Sequence, residues 1–311
     1  MYPAAQPESS GSGPSDVQQM LDALDQFIAR LDSQDAESFE VIQLAQALAA
    51  TISPTTVLPS MQRAQARVDM DVTVLWLTFK PDGKERARAR GAMEVEGNFL
   101  TLKTTKELVK LALGHVSRYM EGGCRVVADV ILLRVAAVLR HKHSRVFIVP
   151  DYPLDSVQVD GTRKYGGVVD YIVAKYPPIA SAIIDSPDEV LKPERYRKLG
   201  SANIFAAKTL DRLEFGVPQC VLAAASWCHY GGEEVMRGGV TTGDQWIFFA
   251  YKRGDQGSCY ARTEVFRVGE DLSNLDWILG VLIDWVEDAT VFDPFEHFDL
   301  ASKTLDTEMW A

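Results

Sequence analysis

Apolar positions repeat at helical spacing near the start of the chain. Met20, Leu21, Leu24, Phe27, Ile28 and Leu31 share one face, with Asp16 placed to cap the helix. A second helix is expected over Ser38–Ile52, limited by Pro54. From residue 72 the period changes. Val72, Val74 and Trp76 alternate with Leu75, Leu77 and Phe79, which predicts a strand buried on both faces. Pro81-Asp82-Gly83 signals a turn, Ala92–Lys103 reads as the returning strand, and a helix follows from Thr105 to about Tyr119. Beyond Gly122-Gly123 the pattern predicts a helix over Arg125–Leu139 and strands over Arg145–Val149, Val168–Ala174 and Asn203–Ala207. Another helix is expected over Val217–Trp227 with Pro218 in its first turn. Strands Gln245–Tyr251 and Tyr260–Val268 and a helix over Leu272–Val286 complete the series. This order predicts an α/β fold, a mixed sheet flanked by helices, preceded by a helix–hairpin–helix module. The expected organisation is a disordered leader (1–16), an N-terminal module (17–120), a core (121–290) and an acidic tail (291–311).

Composition changes this picture little, and charge changes it more. The 311 residues are 47% hydrophobic and 24% charged, enough to bury a sizeable core. A net charge of −11 argues against a general nucleic-acid binder if it is evenly spread. It is not: residues 269–311 hold eleven acids against Lys303 alone. The body is close to neutral, and residues 140–212 carry three more basic than acidic side chains, which suits a phosphate-bearing ligand. The four cysteines, Cys124, Cys220, Cys228 and Cys259, form no C-x-x-C pair and read as reduced thiols of an intracellular protein, cytoplasmic or nuclear. No apolar run is long enough for a membrane span and no secretory signal is visible, so no membrane partner is expected.

Candidate chemistry sits in the second half. Gly166-Gly167-Val168-Val169-Asp170-Tyr171 places an acid inside an apolar strand, which is costly unless a cation or hydrogen-bond donor meets it. Asn203-Ile204-Phe205-Ala206-Ala207-Lys208 ends a second buried strand on a lysine. Gly216-Val217-Pro218-Gln219 opens a helix of small residues, and Gly238-Gly239-Val240-Thr241-Thr242-Gly243-Asp244-Gln245-Trp246 gives two strands around a glycine turn. In order and spacing these segments resemble the PD-(D/E)XK, restriction-endonuclease-like phosphodiesterases, and among them uncharacterised fungal members, over roughly residues 121–290. The resemblance implies Mg²⁺-dependent hydrolysis of nucleic acid. It makes Asp170 a metal ligand, the Ala207 carbonyl a further ligand, Lys208 the catalytic lysine and Gln219 a site residue on the helix.

The departure lies at Ala206, where such proteins carry the second carboxylate. Three explanations stand: an inactive descendant, a carboxylate moved elsewhere, for example to Glu214 or to a residue of the preceding helix such as Asp129, or an inactivating substitution or a misplaced register. A non-catalytic module that binds nucleic acid or protein is therefore the alternative function.

Other residues draw plainer readings. Trp246, Phe248 and Phe249 are expected in the core. His141-x-His143 lacks neighbouring ligands at metal spacing, and adjacent Cys228 and His229 diverge on a helix. Pro150-Asp151 and Pro187-Asp188 are loop pairs without a partnering acid and lysine. Lys84, Arg86, Arg88 and Arg90 alternate in what reads as the hairpin loop.

Overall fold

The computed structural model describes residues 72–140, 145–158, 164–177, 200–254 and 257–301. The expected leader, the first two helices, His141, His143 and Pro187-Asp188 lie outside the described residues.

Among the described residues, strands and helices follow in the order β1 (Val72–Phe79), α1 (Gly83–Gly91), α2 (Leu102–His115), α3 (Glu121–Leu139), β2 (Arg145–Gln158), β3 (Lys164–Tyr176) and β4 (Ser201–Ala207). They continue with a 3₁₀ turn (Leu210–Arg212), α4 (Leu213–Gly231), β5 (Val235–Thr241), β6 (Gln245–Lys252), β7 (Ser258–Arg262), β8 (Phe266–Arg267), α5 (Leu275–Glu287) and β9 (Phe298–Ala301). One sheet runs β2-β3-β4-β5-β6-β7-β1-β9, with β8 beside β6. It is mixed: β4 with β5 and β1 with β7 are parallel, and the other pairs are antiparallel.

Alternation along the strands builds two cores. Phe205, Ala207, Trp246 and Phe248 face α3 and α5, packing with Val127, Ile131, Ile278 and Trp285. Ile204, Ala206, Ile247 and Phe249 face α4, packing with Val217, Cys220 and Ala224. The described residues therefore form a helix–sheet–helix sandwich. Trp246, Phe248 and Phe249 are fully buried, as expected. Cys124, Cys220 and Cys228 are buried free thiols, and Cys259 is a half-buried one. No helix among the described residues is long and apolar enough to cross a membrane.

Three sequence expectations need correction. No strand forms over residues 92–101; the basic run folds instead as α1, and β1 joins β7 and β9 rather than a hairpin partner. Lys84, Arg86, Arg88 and Arg90, expected in a hairpin loop, lie on this helix, and the residues between them decide the outcome. Ala87 and Gly91 are buried against α5, where Arg90 pairs with Glu287 and Arg88 with Asp276. The α4 helix begins at Leu213, so Pro218 lies inside it, because Leu213, Gly216 and Val217 extend its buried face backwards. Residues 291–301 are not a free tail. Phe292, Phe295 and Phe298 are buried, and β9 pairs with β1.

The α1–α5 contact depends on the absence of a side chain at residue 280. A Cβ there would lie 1.8 Å from the Ala87 carbonyl oxygen, inside backbone that cannot move alone. Gly280→Ala is expected to lower the unfolding free energy in urea by about 2–3 kcal/mol, the scale of overpacking a core. Gly114→Ala in α2, where the new methyl meets open space, is expected to be neutral or slightly stabilising. Equal midpoints for the two variants would contradict the close approach.

Candidate functional site

The β3–β4 ladder ends at Tyr171 opposite Phe205. One residue beyond it the Asp170 side chain takes over from the backbone: its Oδ2 accepts the Ala207 N–H at 3.0 Å. The acid within an apolar strand is thus paired rather than orphaned, as its burial requires. Lys208 follows at the carboxyl end of β4, before the crossover through α4 to β5, a usual location for ligand sites in α/β sheets.

The hairpin between β5 and β6 fixes this end of the sheet. Lys208 donates its backbone N–H to the Thr241 carbonyl, and the Gly243 N–H bonds the Thr241 hydroxyl, both at 2.8 Å. Gly243 has φ +89° and rests against Val127 of α3, so neither its conformation nor its surroundings admit a side chain. Gly216 is needed for a different reason. A Cβ there would lie 2.9 Å from Lys208 Cγ, so the bare helix surface makes room for the lysine stem.

The Lys208 side chain is only 10% exposed, and its Nζ lies 3.3 Å from Glu121 Oε1 and 3.6 Å from Asp170 Oδ2. Glu121 is in the first turn of α3, where the helix dipole favours a negative charge. One turn on, Arg125 Nε lies 3.5 Å from Asp170 Oδ1, while its Nη2 donates to the Asp170 carbonyl at 3.1 Å and to Asp151 Oδ1 at 2.6 Å. The cluster therefore alternates in sign, with three carboxylates around two cations.

Electrostatics follow from this arrangement. Burial pushes the Asp170 carboxyl above its ordinary range; Lys208 and Arg125 pull it down, Glu121 pushes it further up, and the Ala207 N–H lowers it. Burial opposes the Arg125 charge, but Asp151 and Asp170 outweigh it and its pKa is raised. The Cys220 thiol, on α4 beneath Lys208 and Asp170, is pushed by burial to about 12 and is no nucleophile.

Asp170, Ala207 and Lys208 thus meet at one point of the sheet. Gln219 is half-buried on α4, one turn beyond Gly216, and makes no hydrogen bond to Asp170 or Lys208. Ala206 faces α4 in the second core, on the same strand face as Lys208. Neither position suggested for a moved carboxylate reaches the cluster. Glu214 grips Arg262 through both oxygens at 2.8 and 3.1 Å, and Asp129 lies beside the Tyr171 hydroxyl. Two acids that the sequence reading did not select do reach it: Glu121 directly, and Asp151, the acid of the literal Pro-Asp pair, through Arg125. A signal for Glu121 existed, an acid directly before a Gly-Gly pair at the start of an apolar helix. Many surface helices carry the same signal.

No group of three or more His, Cys, Asp or Glu side chains suited to a metal ion occurs among the described residues. Asp170 and Glu121 nonetheless already share one cation, the Lys208 ammonium, and their carboxylates are hard oxygen donors of the kind Mg²⁺ prefers. The chain matches no protein-family model, and no curated protein is significantly similar to it.

Proposed function

We propose that this chain is a restriction-endonuclease-like phosphodiesterase acting on nucleic acid, with Asp170, Glu121 and Lys208 as its reactive set. The observation that carries the proposal is the bridge of one nearly buried ammonium between two carboxylates at the carboxyl end of β4. Glu121 supplies from a helix the carboxylate that Ala206 lacks on the strand. Asp170, Glu121 and the Ala207 carbonyl would hold Mg²⁺, which polarises a phosphate and acidifies bound water. Lys208 holds positive charge where negative charge grows on a phosphate undergoing attack. Arg125 and the Ala207 N–H fix both Asp170 oxygens, so its orientation is set before any ligand enters.

The test is cleavage of labelled single- and double-stranded DNA and RNA by the full chain, with Mg²⁺ or with EDTA. Mg²⁺-dependent cleavage is expected, and Glu121→Gln is expected to lower it about 100-fold. Absence of cleavage of all four substrates by the wild-type chain would overturn the proposal.

A second reading, a non-catalytic descendant that binds nucleic acid or protein, is favoured by Ala206 and by the cations that already engage Asp170. Under it, calorimetry finds no Mg²⁺ binding to the wild-type chain or to Ala206→Glu, and cleavage is absent from both.

A further inference from the structure

Two aromatic rings stand in water beside this site. Tyr119 is 91% exposed in the loop before α3, two residues from Glu121 and so within about 7 Å of it along the backbone. Phe215 is 69% exposed in the first turn of α4, next to the Gly216 that rests on the Lys208 stem. Glu121 and Lys208 touch, so one ring is tethered to each partner of the central ion pair. Around Phe215, Leu213, Gly216 and Val217 are buried and the exposed Glu214 holds Arg262. The phenylalanine turns an apolar ring outward, at a position where a charged residue would be better solvated.

We infer that Tyr119 and Phe215 stack on unpaired bases and give the site a preference for single-stranded nucleic acid; the inference rests on the nucleic-acid reading of the site. Bases in a duplex have their faces covered by neighbours, whereas unpaired bases offer them to aromatic side chains whatever their sequence. Lys208 and Asp170 point the same way. Both are largely buried, so a phosphate must enter a recess, which a flexible strand does more readily than a stiff duplex. The exposed Arg212, on the turn before α4, supplies positive charge for the backbone.

Fluorescence anisotropy of a labelled twelve-nucleotide thymidine strand, alone and annealed to its complement, in EDTA at low salt, tests the inference. The single strand is expected to bind the wild-type chain more tightly than the duplex. Tyr119→Ala and Phe215→Ala are each expected to weaken single-strand binding by about 5- to 100-fold, with duplex binding little changed and Tyr119→Phe close to wild type. Tyr230→Ala, about 22 Å from Phe215 along α4, is expected to change nothing. Equal or tighter duplex binding, no binding of the single strand, or alanine variants that bind it as the wild type does, would overturn the inference. The assay contains no metal, which separates the two claims. Aromatic-dependent binding without Mg²⁺-dependent cleavage overturns only the phosphodiesterase reading, and cleavage without aromatic dependence overturns only the stacking.

Discussion

Arg237→Met is expected to lower the unfolding free energy at pH 7 by about 3–5 kcal/mol, the cost of leaving one member of a buried ion pair alone. Arg237, on β5, is 0% exposed and donates to Asp284 Oδ2 at 3.2 Å, to the Asp284 carbonyl at 3.3 Å and to the Val291 carbonyl at 2.8 Å. Its guanidinium also lies over the rings of Trp285 and Phe295, at 4.8 and 5.0 Å. The substitution thus strips hydrogen bonds from two carbonyls and a partner from a buried carboxylate. Burial outweighs pairing on both sides: it raises Asp284 to about 6 and lowers Arg237. The pair fixes α5 over β5 more than it adds energy. The double variant Arg237→Met, Asp284→Leu is accordingly expected to recover most of the loss. The sign of the pH dependence follows from the raised Asp284 pKa. The folded state holds a proton that the unfolded state releases near pH 4, so this contribution to stability is full below pH 4. Roughly 2–3 kcal/mol is lost as the pH rises through 6. Urea titrations followed by tryptophan fluorescence at pH 5 and 7 measure both effects. A loss below about 1 kcal/mol for Arg237→Met at pH 7 would contradict the role given to the pair.

Asp170→Asn is expected to reduce Mg²⁺-dependent cleavage by at least about 100-fold while leaving the fold intact. Asparagine keeps the shape and can still accept the Ala207 N–H through its amide oxygen. It removes the negative charge that faces Lys208 and Arg125 and that a cation would require. Single-turnover rates, with near-ultraviolet circular dichroism as the folding control, check the statement. An Asn variant that cleaves as fast as the wild type would remove Asp170 from the reactive set.

Strands buried on both faces were the easiest elements to read. The apolar run around Ile172 and the one ending at Ala207 leave no alternative to central strands, and the turn at Gly243 announces itself. Asp170 and Lys208 were visible for the same reason, since a charge against such a background needs a partner. Residues 84–90 read as a loop because Pro81-Asp82-Gly83 is a turn signal, while the forces on α1 come from Gly280 and Asp276, almost 200 residues away. Glu121 was missed on similar grounds. Its meaning comes from contact with Lys208, 87 positions later, and not from its neighbours in the chain. Ala206 reads as a gap among strand-borne acids; a carboxylate delivered by the preceding helix, the alternative that the sequence left open, leaves no mark at position 206.

The placement of β1 has a consequence for how the chain is made. Residues 72–76 pair with 258–262, and residues 76–79 with 298–301. The first described strand therefore emerges from the ribosome without either neighbour. At about 5–20 residues per second, it waits roughly 10–40 s for the first of them. Over that interval Val72, Val74, Leu75 and Leu77 form an open apolar edge, and α1 likewise lacks its seat on α5. The centre of the sheet, β2 to β6, can assemble in order of synthesis, whereas its outer margin closes only when the last strand arrives. β1 is thus committed to β7 and β9, and its vulnerability to aggregation lasts until both are made.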